Sequence, residues 1–117
     1  MESKKHPLLK PDEVHIWSAC FSENKSKSAY FLSLLSQDEK ERASEFRFFR
    51  DQQKYTISRG ILRHLLGEYL GETPQKVEIL YGLWGKPCLP KEKALSFNLS
   101  HSGDTVLYAL TQYYEVG

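Results

Sequence analysis

The spacing of apolar residues changes along this chain, and the change separates predicted helices from predicted strands. Apolar side chains recur at helical spacing from Ser28 to Leu35, and they form one broad face over residues 52–70. Asp51 stands where the longer helix needs an N-cap, and Gly71 stands where it needs a stop. The pattern therefore predicts a short amphipathic helix and, after it, the longest helix of the chain.

A further helix is predicted between these two. Ser36 is a good N-cap residue and Glu39 stands three residues later, which is the spacing of a capping box. The acidic residues of this first turn also complement the helix dipole. We expect this helix to run to about residue 46 or 48.

The long helix carries three residues whose expected role is packing. Gly60 and Gly67 each weaken a helix by about 1 kcal/mol relative to alanine, so we expect them to permit close packing. Arg63 lies close to the apolar face. We expect it to form a structural ion pair with the sheet.

Four segments have the alternation or the β-forming residues of strands. They are residues 13–20, 77–81, 94–101 and 105–113. Helices in one block and strands in another favour an α+β fold, with helices packed on a small antiparallel sheet. Residues 1–11 are predicted to be a flexible lead-in, because they contain two prolines, and residues 12–117 are predicted to form one domain.

Composition and charge narrow the possible functions. Of the 117 residues, 40% are hydrophobic and 26% are charged, as in an ordinary soluble domain. The formal net charge is +1, with 16 basic and 15 acidic side chains, which argues against a nucleic-acid-binding surface. Any anion site must therefore be built locally.

The sequence also carries information about location. No apolar run has the length of a membrane span, and the N-terminus lacks the apolar segment of a signal peptide. Cys20 and Cys88 lie far apart and have no spacing typical of zinc ligands. We predict a cytoplasmic protein with two free thiols.

The stretch from Phe97 to Asp104 places a polar cluster between two alternating apolar runs. Successive strand residues point to opposite faces, so Asn98 and Ser100 share one face and His101 lies on the other. This geometry argues against a Ser-His nucleophile pair, because the two side chains cannot aim at one point. A hairpin with a Ser-Gly-Asp turn is the plain structural interpretation. The functional interpretation is a strand end that offers hydroxyl and imidazole donors to an anion.

Arg47, Arg50 and Lys54 form a basic cluster at spacings of three and four. In a continuous helix they would share one face, whereas a turn of the chain between Phe48 and Asp51 would cluster them at a corner. They are either a solvated basic face or a clamp for a phosphate group. Charge-assisted hydrogen bonds in such a clamp contribute about 1.5–3 kcal/mol each.

Lys86 is a second candidate for anion binding. It lies between Gly85, which allows close approach of the backbone to a ligand, and Pro87, which stiffens the exit of the loop. Taken alone, this motif fits a plain loop as well as a ligand site.

Three segments, in this order and spacing, resemble the surfactin-type 4′-phosphopantetheinyl transferases. They are Ser58-Arg59-Gly60-Ile61-Leu62-Arg63, Tyr81-Gly82-Leu83-Trp84-Gly85-Lys86-Pro87 and Phe97-Asn98-Leu99-Ser100-His101-Ser102, and the closing Val116-Gly117 also fits. The resemblance covers nearly the whole chain from Val14 onward. It implies transfer of the phosphopantetheine arm of coenzyme A to a serine of an acyl- or peptidyl-carrier protein. It also implies a cleft between two similar α+β halves, which binds coenzyme A and Mg²⁺.

The resemblance further implies roles for individual residues. Lys86, with the neighbouring Pro87, would contact the phosphates of coenzyme A, together with Ser100 and His101. Lys54 would lie near the adenosine 3′-phosphate, and Arg47 competes with it for that role. No residue of this chain is implied in the chemical step itself.

The chain departs from the family pattern at its end. In the family, the segment that resembles residues 114–117 is followed by an acidic pair, Asp-x-Glu, that binds the magnesium. This chain ends at Gly117, so the Mg²⁺ ligands are expected beyond it, in a second half. We therefore expect an N-terminal half that binds coenzyme A phosphates and is inactive alone. The alternative is a non-catalytic interaction module that pairs with itself or with a carrier protein.

Overall fold

One long helix packs against a three-stranded antiparallel sheet, which confirms the predicted α+β class. The computed structural model describes residues 9–112. Its strands are β1 (His15–Cys20), β2 (Leu80–Tyr81), β3 (Pro87–Cys88), β4 (Leu95–Ser102) and β5 (Thr105–Gln112). The sheet has the order β1-β5-β4, so β4 is an edge strand, and β2 pairs with β3 in a separate ribbon.

Four α-helices precede or follow these strands in the described part of the chain. They are α1 (Phe21–Asn24), α2 (Ser28–Leu34), α3 (Gln37–Ser44) and α4 (Phe49–Leu70). Short 3-10 turns lie at Lys25–Lys27, Pro74–Lys76, Leu83–Gly85 and Lys91–Lys93. None of the described helices is long and apolar enough to cross a membrane.

The capping box predicted for α3 is present. The Glu39 backbone N–H donates to Ser36 Oγ over 3.2 Å, and the Ser36 N–H donates to Glu39 Oε1 over 3.0 Å. The helix ends at Ser44, earlier than predicted.

The start of α4 was predicted wrongly, and its end correctly. Phe48 is the N-cap and its side chain makes no capping bond, while Asp51 lies in the first turn and its N–H donates to the Phe48 carbonyl over 3.0 Å. Asp51 there complements the helix dipole instead of capping the helix. Gly71 ends the helix in the left-handed conformation, with φ of 69°.

The last two strands match their predicted segments to within one residue at each described end. The predicted strand over residues 77–81 is correct only at its end, because Leu80–Tyr81 is the part of it that pairs with another strand. Val77 is instead buried in the core, and its carbonyl accepts a hydrogen bond of 2.7 Å from Arg63 Nη1. A side-chain donor therefore takes the place of a strand partner there.

The predicted lead-in over residues 1–11 falls mostly outside the described residues, as do residue 113 of the last predicted strand and segment 114–117. Within that lead-in, Leu9 is buried in the core. Its carbonyl accepts a hydrogen bond of 2.8 Å from the Gln112 amide. Leu9 therefore packs into the core of the domain, although it lies before residue 12, where the sequence predicted the domain to begin.

The two glycines inside α4 allow close packing, as predicted. A Cβ at Gly60 would collide with the Phe31 side chain, and a Cβ at Gly67 would lie 2.6 Å from the Glu72 carbonyl oxygen. The core that forms around α4 includes these fully buried side chains: Phe21, Ile57, Leu62, Leu66, Tyr69, Val106, Tyr108 and Leu110.

Candidate anion-binding site

Lys54 and His101, two of the residues predicted to bind an anion, meet at the ring of Phe21. Lys54 Nζ lies 5.4 Å from the ring centroid and donates to the Gly103 carbonyl over 3.2 Å. The His101 ring lies edge-on to Phe21, with centroids 6.2 Å apart and planes at 77°. Because His101 is exposed and Lys54 only half-buried, both can donate hydrogen bonds to a ligand at this end of the sheet.

Ser100 lies on the opposite face of β4, as strand alternation predicts. Its cross-strand partner is Leu107, whose side chain is 43% exposed on the face away from α4. A ligand that contacts both Ser100 and His101 must therefore reach around β4. That route is open within residues 9–112, because β4 is an edge strand of the sheet they form.

The Gly-Lys-Pro loop packs against α3 and brings in a cation that sequence reasoning missed. Gly85 has φ of 73°, and a Cβ there would lie 2.7 Å from Arg42 Nη2. A larger residue at Gly85 would displace Arg42, so the glycine keeps this guanidinium beside Lys86. Trp84, the preceding residue, is 96% exposed and has φ of 65°, an unfavourable conformation for a non-glycine residue.

Arg59 is the second cation that sequence reasoning missed. It is 8% exposed, and its guanidinium carbon lies 4.9 Å from the ring centroid of Tyr55 and 5.7 Å from that of Tyr81. Among the described residues, neither its Nε nor the Tyr55 hydroxyl has a hydrogen-bond partner, although both atoms are buried. Buried charges are almost always paired, so this arrangement indicates a place where a bound anion would complete the contacts.

Arg63 has the opposite character and is structural. Its Nε donates to Glu39 Oε1 over 2.7 Å, and its Nη1 donates to the carbonyls of Pro74 and Val77 over 3.0 and 2.7 Å. The predicted ion pair with the sheet is wrong, because the partner Glu39 lies on α3. The spacing along α4 could not identify that partner.

Glu39 links this structural cluster to the Gly-Lys-Pro loop. Its other oxygen, Oε2, accepts a hydrogen bond of 2.6 Å from the Tyr81 hydroxyl. Burial acts to raise the pKa of Glu39, but hydrogen bonds from Arg63, Tyr81 and the Ser36 N–H outweigh it and hold the pKa below its ordinary value. Burial and the bond to Glu39 raise the pKa of Tyr81, so the phenol stays neutral.

Arg47 and Pro87 lie outside the Lys54–His101 cluster. Because α3 ends at Ser44 and α4 begins at Phe49, Arg47 occupies a corner of the chain and not a continuous helical face. Its guanidinium lies 5.4 Å from the Phe48 ring centroid and is exposed to solvent. Pro87 pairs with Tyr81 in the short ribbon, where it supports the loop that carries Lys86.

The described residues do not fit a magnesium site. Residues 9–112 contain no group of three or more His, Cys, Asp or Glu side chains that could hold a metal ion. The Asp104 carboxylate is already engaged by donors from Cys20 and Ser22, at 2.6 to 3.0 Å. These bonds, that of Cys20 foremost, hold its pKa below the ordinary value.

Comparison with known proteins gives a consistent result. Residues 17–112 match the family described as 4′-phosphopantetheinyl transferase, N-terminal. The chain is 39% identical over 112 residues to the 4′-phosphopantetheinyl transferase HetI of Nostoc sp., which covers 93% of the chain and 47% of that protein. It is 32% identical over 102 residues to the phosphopantetheinyl transferase of Thraustochytrium sp., covering 83% of the chain and 35% of that protein.

A human protein is also similar. The chain is 30% identical over 99 residues to the human L-aminoadipate-semialdehyde dehydrogenase-phosphopantetheinyl transferase, covering 79% of the chain and 32% of that protein. The chain thus spans less than half the length of each of these three curated relatives.

Proposed function

Because the chain belongs to the 4′-phosphopantetheinyl transferase family, we propose that the protein transfers the 4′-phosphopantetheine arm of coenzyme A to a serine of an acyl- or peptidyl-carrier protein. The carrier serine oxygen would attack the β-phosphorus, and 3′,5′-ADP would leave. One observation carries the proposal: the family match over residues 17–112 includes every residue that the motifs assign to phosphate binding. The Gly-Lys-Pro and Asn-Leu-Ser-His motifs support placing it in the surfactin-type branch.

We assign phosphate binding to two groups of hydrogen-bond donors. Lys54 and His101 form one group at the turn end of the sheet, with Ser100 reaching the ligand around the edge of β4. Lys86 forms the other, and we add Arg42 because its guanidinium contacts the same loop. Coenzyme A carries three phosphate groups, so several cations are needed to neutralise and orient them.

Arg59 completes this assignment. Its Nε, which has no hydrogen-bond partner among residues 9–112, is suited to a phosphate oxygen, because guanidinium binds phosphate through directional charge-assisted bonds. Arg47 stays a secondary candidate, because its guanidinium rests on Phe48 at the corner.

The Mg²⁺ dependence and the chemical step belong, in this proposal, to residues outside the described part of the chain. Residues 9–112 would bind and orient coenzyme A, and the 117 residues alone would not transfer the arm. We also propose a cytoplasmic location and a half-domain over residues 12–117.

The outer face of the sheet supports the need for a second half. Ile16 and Leu107 are 61% and 43% exposed there, and Val14, just before β1, is 55% exposed. Exposed apolar patches commonly mark interfaces. We propose that the second half of the enzyme covers this face. In the competing proposal the protein is a non-catalytic module, and a second copy of the chain or a carrier protein covers this face of the sheet.

The test is a chimera in which this chain replaces the part of HetI that it matches. An apo carrier protein is incubated with coenzyme A, with or without Mg²⁺, and with either the chimera or the 117-residue chain. Intact mass spectrometry should show the phosphopantetheine addition with the chimera and Mg²⁺ only. Addition by the 117 residues alone would refute the assignment of the chemical step, and a chimera that folds but never modifies any carrier would favour the interaction module.

Point variants of the chimera test the assigned residues. Lys86→Ala, His101→Ala and Arg59→Gln should each raise the KM for coenzyme A by about ten- to a hundredfold, the loss expected for one charge-assisted bond. Arg50→Ala is the matched control. The Arg50 side chain is 74% exposed, and its ion pair with Asp51 is long, with 4.0 Å between Nε and Oδ1. An unchanged KM for any of the three would remove that residue from the site.

A further inference from the structure

The turn between β4 and β5 is fixed by contacts that a two-residue hairpin does not need. Asp104 Oδ2 accepts hydrogen bonds from Cys20 Sγ at 2.7 Å and from Ser22 Oγ at 2.6 Å, and Oδ1 accepts one from the Ser22 N–H at 3.0 Å. The Asp104 carbonyl also accepts a bond of 2.7 Å from the Phe21 N–H. One turn residue thus fixes the junction between β1 and α1.

The consequence is that Asp104 sets the position of the Phe21 ring. Phe21 is 2% exposed, and its ring is the surface against which Lys54 and His101 both lie. The turn fixes Lys54 a second time, through the bond from its Nζ to the Gly103 carbonyl. Both side chains of this group therefore depend on the same turn.

We propose that Asp104 and Phe21 are positioning residues, which fix His101 and Lys54 in the arrangement that binds a phosphate group. The inference rests on the proposed function for the identity of the ligand that carries the phosphate, coenzyme A. Asp104 binds no ligand itself, because its carboxylate is occupied by three protein donors. It acts through Phe21.

The direction in which Asp104→Asn changes coenzyme A binding distinguishes a positioning role from a purely electrostatic one. A carboxylate close to a phosphate site repels the ligand, so if Asp104 acted only by its charge, Asp104→Asn would tighten binding. If Asp104 positions Lys54 and His101, the same substitution weakens binding, because an amide cannot accept all three bonds. Small displacements of binding groups can cost up to about a hundredfold in rate or affinity.

The experiment has two readouts. In the HetI chimera, Asp104→Asn and Asp104→Ala should raise the KM for coenzyme A by about tenfold while kcat stays within about twofold. In the 117-residue chain, the His101 Hε1 resonance should lose the ring-current shift that Phe21 causes in the edge-on arrangement. Phe21→Leu, which keeps an apolar side chain in the core, should abolish the same shift and raise KM in the same direction.

Tyr69→Phe is the control for a general loss of stability. Its hydroxyl accepts a bond of 2.7 Å from Trp17 Nε1 and lies 2.7 Å from His15 Nδ1, so the variant loses part-buried hydrogen bonds without touching the turn. It should leave both the KM and the His101 resonance unchanged. If Asp104→Asn tightens coenzyme A binding, or leaves the His101 resonance in place, the positioning role is refuted.

The two proposals fail in different ways. If the unsubstituted chimera transfers nothing but the His101 resonance responds to Asp104→Asn and Phe21→Leu as expected, the transferase proposal falls and the positioning contact stands. If the chimera transfers normally and Asp104→Asn changes neither readout, the transferase proposal stands and the positioning role of Asp104 is refuted.

Discussion

Two buried arginines, one turn apart on α4, have opposite surroundings. Arg63 is 3% exposed and donates to one carboxylate and two carbonyls. Arg59 is 8% exposed and lies against two tyrosine rings, but its Nε has no hydrogen-bond partner in the described part of the chain. Helical spacing and burial are nearly the same for both, so neither distinguishes them. The difference lies in the partners, and it predicts that Arg63 serves stability and Arg59 serves binding.

The largest expected effect comes from removing the paired arginine. Arg63→Met leaves the Glu39 carboxylate buried without its cation, and breaking such a pair costs about 3–5 kcal/mol of unfolding free energy. Arg59→Met removes a charge that has no ion pair among residues 9–112 and loses cation–π contacts of about 0.5–2 kcal/mol, while the desolvation cost of that charge disappears as well. We therefore expect Arg59→Met to stay within about 1 kcal/mol of the unsubstituted chain.

Urea unfolding of the two variants and of the unsubstituted chain measures the difference. A free-energy loss for Arg59→Met as large as that for Arg63→Met would contradict the comparison. It would show that Arg59 is satisfied within the protein.

Acidification should break the Arg63 cluster without any substitution. The pKa of Glu39 is held below its ordinary value of 4.5, so its contribution to stability is fully present above pH 4.5 and is lost as the pH falls through the lower, folded-state pKa. The unfolding free energy should therefore decrease on acidification in that window.

Glu39→Gln is the control for this pH dependence. The variant is less stable at neutral pH, because the amide does not carry the charge that pairs with Arg63, but its unfolding free energy should vary less with pH below 4.5. Equal acid dependence in both chains would assign the effect to other carboxylates.

The sequence predicted what local signals determine. The capping box of Ser36 and Glu39 involves residues three apart, and the alternation of β4 separates Ser100 from His101 whatever the rest of the chain does. The start of α4 was missed because Asp51 is as suitable in a first turn as at an N-cap.

The site was only partly predictable, because its pairings are tertiary. Spacing could mark Lys54 and His101 as candidates, but Phe21, which both contact, carries no sequence signal for that role. Arg42 and Arg59 were missed for the same reason. Whether a buried arginine has a partner depends on α3 and on the loop after residue 80, which the pattern of α4 does not encode.

The smallest expected effect is that of Tyr55→Phe, and it sharpens the comparison most when it is measured beside Tyr81→Phe, because each variant removes one hydroxyl next to Arg59. Tyr81→Phe loses a hydrogen bond to the charged Glu39, which costs about 1.5–3 kcal/mol, whereas Tyr55→Phe removes a buried hydroxyl without a partner among the described residues. Tyr55→Phe should leave the unfolding free energy unchanged to within about 0.5 kcal/mol or raise it slightly. Both variants keep the aromatic ring, so the cation–π contacts of Arg59 serve as an internal control.

If Tyr55→Phe leaves stability intact but raises the KM for coenzyme A in the chimera, the hydroxyl is reserved for the ligand. If it instead destabilises the chain as much as Tyr81→Phe does, the hydroxyl has a partner within the protein, and the argument that Arg59 and Tyr55 await an anion fails.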